Sequence, residues 1–383
     1  MASVLLAGAL VLHWMQMHQV RDYLLVAATV IEGLPIAVKA MQSLRAKMFS
    51  IEFLLTISLS GATIIGEYTE AAVLGFLFIA GVWLETRALR RMRHSLAQNL
   101  DELAQRFPDE AFVELVEEAQ ESGTGAQRFL QRLANIYTPV VVVVAAGVYL
   151  VSGNLQQALT FLVIACPGAL VISVPVALAA GVSIGARSGV LMKDGNTIEK
   201  LAGIDAVLFT EYSLLKPPEA KRIVEHLRAE GVKQAGIVSG DGIASIKQLK
   251  DQGYRVAVVG SPVHDAAVLA AADIGVALGA TAAGPTGMPD VMILSGQAGQ
   301  FCHAYGLSRA TVRTMKQNAI FALSTVAILM TGVSVGALFM AWGMLIHEVS
   351  ILIVILNVTG LMRYAGPSKL FAPEPGPRRK QVS

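Results

Sequence analysis

Long apolar runs alternate along this chain with short charged clusters, and two polar stretches interrupt them. A helix needs about 20 mostly apolar residues to cross the hydrocarbon of a bilayer. About eight segments qualify, near 2–19, 23–41, 50–67, 69–87, 136–152, 157–186, 317–338 and 341–362. The first is the weakest, because His13 and His18 fall inside it. The third and fourth are parted only by a tight turn near Gly66–Tyr68. Several runs carry no charge from end to end, which argues for lipid contact and against the buried helices of a soluble fold.

The two polar stretches have different rhythms. Residues 88–135 are helix-prone, with Glu114, Glu117 and Glu118 set beside Val113, Leu115 and Val116. Residues 188–316 instead alternate. Ala206–Phe209, Gln234–Val238, Val256–Gly260, Ile274–Leu278 and Val291–Leu294 are β-branched or apolar and predict strands. Lys221–Glu230, Ile243–Gln252 and His264–Ala272 lie between them and predict helices. Alternation at that spacing predicts a parallel α/β domain. The expected fold is therefore a polytopic α-helical membrane protein with a small α/β domain. A proline-rich end, Pro373–Pro377, is expected to be disordered.

Composition sharpens this picture. The 383 residues are 54% hydrophobic and 15% charged, which is too apolar for an ordinary soluble domain. A net charge of +2 gives no electrostatic case for nucleic acid. The two cysteines, Cys166 and Cys302, are too far apart for a metal-finger spacing or a disulfide framework. No basic leader precedes the first apolar run, so a cleavable signal peptide is not expected. Basic residues set the expected orientation. They cluster at Arg45 and Lys47, at Arg87, Arg90, Arg91 and Arg93, at Arg187 and Lys193, and at Arg363, Arg378, Arg379 and Lys380. All fall on one side if both termini are cytoplasmic, whereas the opposite loop Ser152–Gln157 carries no basic residue. That topology puts both polar stretches in the cytoplasm and the Arg87–Arg93 cluster at the membrane surface. The expected location is the inner (plasma) membrane of a bacterium.

Several ordered motifs carry a family resemblance. They are Ile65-Gly66-Glu67-Tyr68-Thr69-Glu70-Ala71-Ala72, Val116-Glu117-Glu118-Ala119-Gln120 and Tyr137-Thr138-Pro139-Val140-Val141. Ala165-Cys166-Pro167-Gly168-Ala169-Leu170 follows, with Pro175-Val176-Ala177-Leu178 behind it. Then come Gly189-Val190-Leu191-Met192-Lys193, Leu269-Ala270-Ala271-Ala272-Asp273-Ile274-Gly275-Val276, Gln317-Asn318, His347-Glu348 and Leu356-Asn357. In this order they resemble the heavy-metal-transporting P-type ATPases of the CPx type, over nearly the whole chain. The resemblance implies membrane helices over 1–87, 136–187 and 317–364 and a remnant of the actuator region over 88–135. It also implies a HAD-like phosphorylation domain over 188–316, with a tail over 365–383.

The resemblance also exposes departures. The family phosphorylates an Asp in D-K-T-G-T after a strand; here Thr210 matches that Asp and Glu211 the Lys. A Thr hydroxyl is neutral and weakly nucleophilic, and it offers magnesium no charge. The family's G-D-G-x-N-D reads Gly260-Ser261-Pro262-Val263-His264-Asp265, so Ser261 replaces one magnesium carboxylate and only Asp265 remains. Few residues separate Thr210 from a helix beginning near Pro218, where the family inserts its nucleotide-binding domain. The stretch near Pro108–Phe112 passes directly from the start of the actuator domain to its end, and Gly123-Thr124-Gly125 lacks the Glu of the family's T-G-E loop. Ser239-Gly240-Asp241 resembles the family's T-G-D and reads equally as a turn after a strand. The chain is then an ATPase by descent, expected to be catalytically inactive and to lack an intact magnesium or ATP site.

The metal path is better kept. A proline inside a helix leaves a carbonyl one turn back without its donor, so Cys166 beside Pro167 offers a thiolate with free backbone oxygen. The alternative is an inert buried cysteine at a proline kink. His347 and Glu348 form an ionisable pair inside an apolar span. Such pairs are costly and usually face an interior path. With Cys166 they would make a mixed S, N and O site suited to zinc, cobalt or ferrous iron. The alternative is a hydrogen-bonded pair that joins helices. Glu67 and Glu70 read either as an exit ligand or as a solvated turn, the turn being favoured for Glu67; His13, Met15, Met17 and His18 read as interfacial residues, with a metal-capture patch as the alternative.

Three functions remain open at this point. One is a membrane protein that binds or passes a metal ion without ATP hydrolysis. Another is a pseudo-ATPase that regulates a metal-handling complex through a protein partner or as a homo-oligomer. The third is an active cation-transporting ATPase with an unrecognised site or a second subunit.

Overall fold

The computed structural model describes residues 7–9, 12, 17–46, 50–106, 125–165, 168–213, 215–238, 240–279 and 289–364, with 92–106 and 125–135 as helical backbone only. Cys166, Pro167, Ser239, the 107–124 stretch, most of the expected first span and the 365–383 tail thus lie outside the described residues. The helices before the sheet are α1 (His18–Arg45), α2 (Ile51–Ile64), α3 (Tyr68–Arg106), α4 (Gly125–Ser152), α5 (Leu155–Ile164) and α6 (Gly168–Arg187). The α/β segment runs β1 (Val190–Met192), α7 (Gly195–Ala202), β2 (Ala206–Thr210), α8 (Pro217–Ala229), β3 (Gln234–Val238) and α9 (Gly242–Asp251). It continues with β4 (Val256–Gly260), α10 (Ala266–Ala271), β5 (Ile274–Leu278) and β6 (Val291–Ile293), and α11 (Gln300–Ser334) and α12 (Met340–Leu361) close the chain.

Among the described residues, 5 helical segments are long and apolar enough to cross a membrane: α1, α3 over Tyr68–Arg91, α5 with α6, α11 and α12. The expected count of about eight is therefore not reached. Part of the reason is length. Helix α2 has 14 residues. At 1.5 Å per residue that is about 21 Å, short of a hydrocarbon core of about 30 Å. It stops early because Gly66 takes a left-handed φ of 87°, and the Glu67 N–H turns back to the Ala62 carbonyl at 2.9 Å. The apolar part of α4, Ile136–Ser152, is also short. The segment expected as one span over 157–186 is one membrane-capable stretch, Leu155–Arg187, made of α5 and α6.

The chain divides into two compact units. The first holds α1 and α2, the early part of α3, most of α4, α5, the start of α6, the later part of α11 and most of α12. Its apolar core joins Leu54, Leu55 and Leu59 of α2 to Leu74 of α3, Phe161 and Ile164 of α5, Val333 of α11 and Met344 of α12. Glycine permits the closest approach: a Cβ built on Gly61 would lie 2.7 Å from the Leu159 side chain. Beside it, the Ser58 hydroxyl reaches the Leu159 carbonyl at 3.2 Å. The Gln157 amide donates to the Val333 carbonyl at 2.7 Å, and Asn357 donates to Asn318 at 2.7 Å. Small residues and interhelical hydrogen bonds are how helices adhere in lipid, where apolar side chains gain nothing from leaving the solvent.

The second unit contains a six-stranded sheet in the order β1-β6-β5-β4-β2-β3. Every neighbouring pair is parallel except β1 with β6. Strands β2 and β4 are buried at every position, which explains their continuous apolar sequence. The expected strands and helices of this segment all form. The sequence pattern missed β1 and α7, the former with only three residues to show it. Helix α7 is set by Asp194, whose carboxylate accepts the Thr197 N–H at 2.6 Å.

Asp205 pins the amino ends of three strands. Its carboxylate pairs with Lys233 at 3.0 Å, just before β3, and with Arg255 at 3.4 Å, just before β4. The Lys233 ammonium, with help from Arg255, holds the Asp205 carboxyl below the usual range. A lowered folded-state value means this contribution is full above the unfolded value near 4 and is lost as pH falls through the folded one. Lys233→Ala is therefore expected to flatten the acid side of the pH–stability profile, measured by thermal unfolding. At the other end of β2, Phe209 is fully buried and meets Phe301 edge-on at 6.1 Å. Phe209→Ala is expected to cost about 3–5 kcal/mol. In a Cys166→Ala background, that loss should appear as faster thiol labelling of Cys302, which is buried in this unit.

Candidate functional sites

The strand order places β2 between β3 and β4, so the connections diverge at the carboxyl ends of β2 and β4. That divergence is where open α/β sheets form a crevice. Thr210 ends β2 and Gly260 ends β4. The Thr210 hydroxyl donates to an Asp265 carboxylate oxygen at 2.7 Å, and the Ser261 N–H donates to the same oxygen at 2.8 Å. Thr210 and Asp265 are both buried. A Cβ on Gly260 would fall 2.6 Å from that Asp265 oxygen and 2.7 Å from the Thr210 hydroxyl, so no side chain fits between them. The Thr210 carbonyl accepts the Ser213 hydroxyl at 2.6 Å. Outside this cluster, the rings of Tyr212 and His264 stack at 4.6 Å.

Thr210, Ser261 and Asp265 meet at the carboxyl ends of β2 and β4. Their bonding is internal: one oxygen of Asp265 receives both donors. Asp205 lies at the amino end of β2, away from this crevice, and Glu211 is exposed in the short turn Glu211–Ser213. Asp241 caps α9 by accepting the Ala244 N–H at 3.1 Å, the role of an ordinary turn residue. Six residues, 211–216, connect β2 to α8.

The second candidate lies in the helical unit. His347 and Glu348 sit on α12 at 4% and 8% exposure, inside a helix apolar on all sides. A cavity of about 240 Å³ is lined by both, together with Glu52 of α2, Glu85 of α3, Leu162 and Val163 of α5, and Gly168 of α6. It therefore touches the chain just before and just after Cys166 and Pro167. Gly81 of α3 has no side chain where Glu348 approaches, and a Cβ there would collide with the carboxylate. Nδ1 of His347 has no hydrogen-bond partner among the described residues. No group of three or more His, Cys, Asp and Glu close enough to hold a metal ion occurs among them either. A compact ligand set built from His347 and Glu348 would need Cys166 or a rearranged Glu85.

Sequence reasoning missed Glu52 and Glu85. It also missed Glu32 on α1, which is 1% exposed. The available signal was a lone acidic residue inside an apolar run. Asn357, which could have supported the metal site, spends its amide on Asn318. Glu67 and Glu70 are half-buried at the α2–α3 turn, and Met17 and His18 are exposed at the start of α1. His13 and Met15 lie outside the described residues.

No family model matches the chain. Curated proteins do. A cadmium-transporting ATPase of Staphylococcus aureus is 25% identical over 310 residues, covering 56% of this chain and 43% of the relative. The zinc/cadmium/lead-transporting P-type ATPase of Escherichia coli (strain K12) is 34% identical over 136 residues, covering 33% of this chain and 18% of the relative. This chain thus spans less than half the length of the curated relatives it matches. The crystal structure of a zinc-transporting PIB-type ATPase in the E2.Pi state superposes with a TM-score of 0.57 at 18% identity, covering 94% of this chain and 98% of that one. This integral membrane chain is a homologue of the cadmium- and zinc-transporting P-type ATPases and has the fold of a PIB-type ATPase.

Proposed function

We propose that this chain binds a divalent transition metal within the membrane, or passes it across, without hydrolysing ATP. The metal would be zinc, cobalt or ferrous iron, held by Cys166, His347 and Glu348 in the α12 cavity. A bacterial inner membrane with both termini cytoplasmic is the setting this reading assumes. One observation carries it: the Thr210 hydroxyl donates to Asp265 at the place where the family resemblance puts the phosphorylated Asp. An aspartyl phosphate needs a carboxylate nucleophile with magnesium to hold the transferred charge. Thr210 is no such nucleophile, and the oxygen of Asp265 that faces it is already engaged. The six-residue link from β2 to α8 supports the same reading, since no nucleotide-binding domain fits in it.

The regulatory alternative has one observation of its own. Tyr212, Ile237, Ile243 and Val263 are 54%, 48%, 47% and 70% exposed around the carboxyl ends of β2, β3 and β4. Apolar exposure there suits a protein partner. A partner recovered with the intact chain and lost in Val263→Glu would favour that reading.

Two experiments test the main proposal. Incubation with γ-labelled ATP and magnesium is expected to leave no acid-stable label on the polypeptide. Thr210→Asp alone should not restore labelling, because Ser261 still lacks a carboxylate; a covalent phosphoenzyme in either protein refutes the proposal. Metal analysis of the purified chain is expected to find bound zinc, cobalt or iron. Cys166→Ala and His347→Ala should each weaken that binding by ~10–100-fold or more; unchanged metal content in both would remove these residues from the site.

A further inference from the structure

Glu32 lies midway along α1, 14 residues after His18 and 13 before Arg45. Its side chain is 1% exposed, and neither carboxylate oxygen has a hydrogen-bond partner among the described residues. The carboxylate rests against α3: a Cβ on Gly75 would lie 2.7 Å from one oxygen and 3.2 Å from the Glu32 Cβ. Around it the contact is apolar, with Leu25 and Ala28 of α1 packed on Ala72 of α3. The Thr29 hydroxyl, three residues before Glu32, is spent on the Leu25 carbonyl at 2.9 Å.

Among the described residues, the neighbouring elements supply no counter-charge. On α1, Asp22 is paired with Arg21 at 2.7 Å, and Lys39, seven residues beyond Glu32, is exposed. On α3, Glu70 and Glu85 lie five residues before and ten after Gly75, and α2 contributes Glu52. Each of these three is acidic. An ionised carboxylate without partner or counter-ion is so costly at such a place that it takes up a proton instead. Pro35, three residues further along α1, removes the donor for the Ile31 carbonyl and softens the helix beside the carboxyl.

We propose that Glu32 is an intramembrane proton-binding site and that its proton is the counter-ion for metal movement. The counter-ion half rests on the preceding reading, that metal crosses without ATP; the proton-binding half does not. One carboxyl takes one proton and is neutral when loaded. The carboxyl takes its proton from water on one face of the membrane and releases it to water on the other, and the return of the empty carboxylate is coupled to metal entering the α12 cavity, so each cycle moves one proton net. A metal ion moving one way through the α12 cavity would then be accompanied by protons moving the other way.

The test uses the full chain in phospholipid vesicles. Dicyclohexylcarbodiimide reacts with protonated carboxyls in apolar surroundings and adds its whole mass as an N-acylurea. We expect that adduct on the peptide holding Glu32, its loss in Glu32→Gln, and little reaction with a water-soluble carbodiimide. In parallel, a zinc gradient is imposed and internal pH is followed with a trapped dye. Zinc movement with opposing proton movement, the latter abolished in Glu32→Gln, supports the proposal. Zinc movement without proton movement overturns the counter-ion role. If zinc does not move at all, metal passage itself fails, and the carbodiimide result then decides the proton site alone. No adduct on Glu32 of the wild-type chain overturns that site, and this measurement needs no variant to fold.

Discussion

A single hydroxyl-to-carboxylate hydrogen bond decides what the sheet crevice can do. Two carboxylates at the 2.7 Å separation of Thr210 and Asp265 would repel each other unless a cation or proton lay between them. With a hydroxyl in one position, the contact becomes attractive and needs no cation. The Ser261 N–H completes the set, and Gly260 leaves the space that lets the two side chains meet. The strand ends therefore close on themselves by donor and acceptor alone. This is the constraint on which any reading of the α/β unit depends, because it sets the local charge at the strand ends.

The helical unit works differently: a few polar groups lie buried beside its apolar core, and large apolar groups also face outward. Helix α1 buries Thr29 and Glu32 while exposing Val30, Leu34, Val38 and Met41. Helix α12 buries His347, Glu348 and Ser350 while exposing Trp342, Val349, Ile353 and Leu356. In water this arrangement would be unstable; in lipid the outward face costs nothing. Glycines repeat at the points of closest approach. Gly75 receives Glu32, Gly81 receives Glu348 and Gly61 receives Leu159. In each case the missing side chain on one helix makes room for a large one on another.

Much of this was legible in the sequence. The parallel sheet could be read because β2 and β4 are buried on both faces and so are continuously apolar, up to the Thr210 that ends β2. The relation between Thr210, Ser261 and Asp265 could be read only through a family resemblance, since 55 residues separate Thr210 from Asp265 and periodicity carries no such information. Span lengths were overread where an apolar run continued past a backbone turn, as at Gly66. Glu32, Glu52 and Glu85 escaped notice because hydropathy averages over a window, and one carboxyl among many apolar residues barely changes the average. Which acidic side chains share a cavity depends on helix rotation, and that is set by packing at glycines distant in sequence.

The antiparallel pairing of β1 with β6 has a consequence of its own. Val190 faces Ile293 and Met192 faces Val291, so the first and last strands of the sheet run side by side in opposite directions. The chain therefore enters and leaves the sheet on two neighbouring strands at one edge. Everything between them, from α7 to β5, is a closed excursion: residues added or removed inside it leave the pairing of the two end strands unchanged.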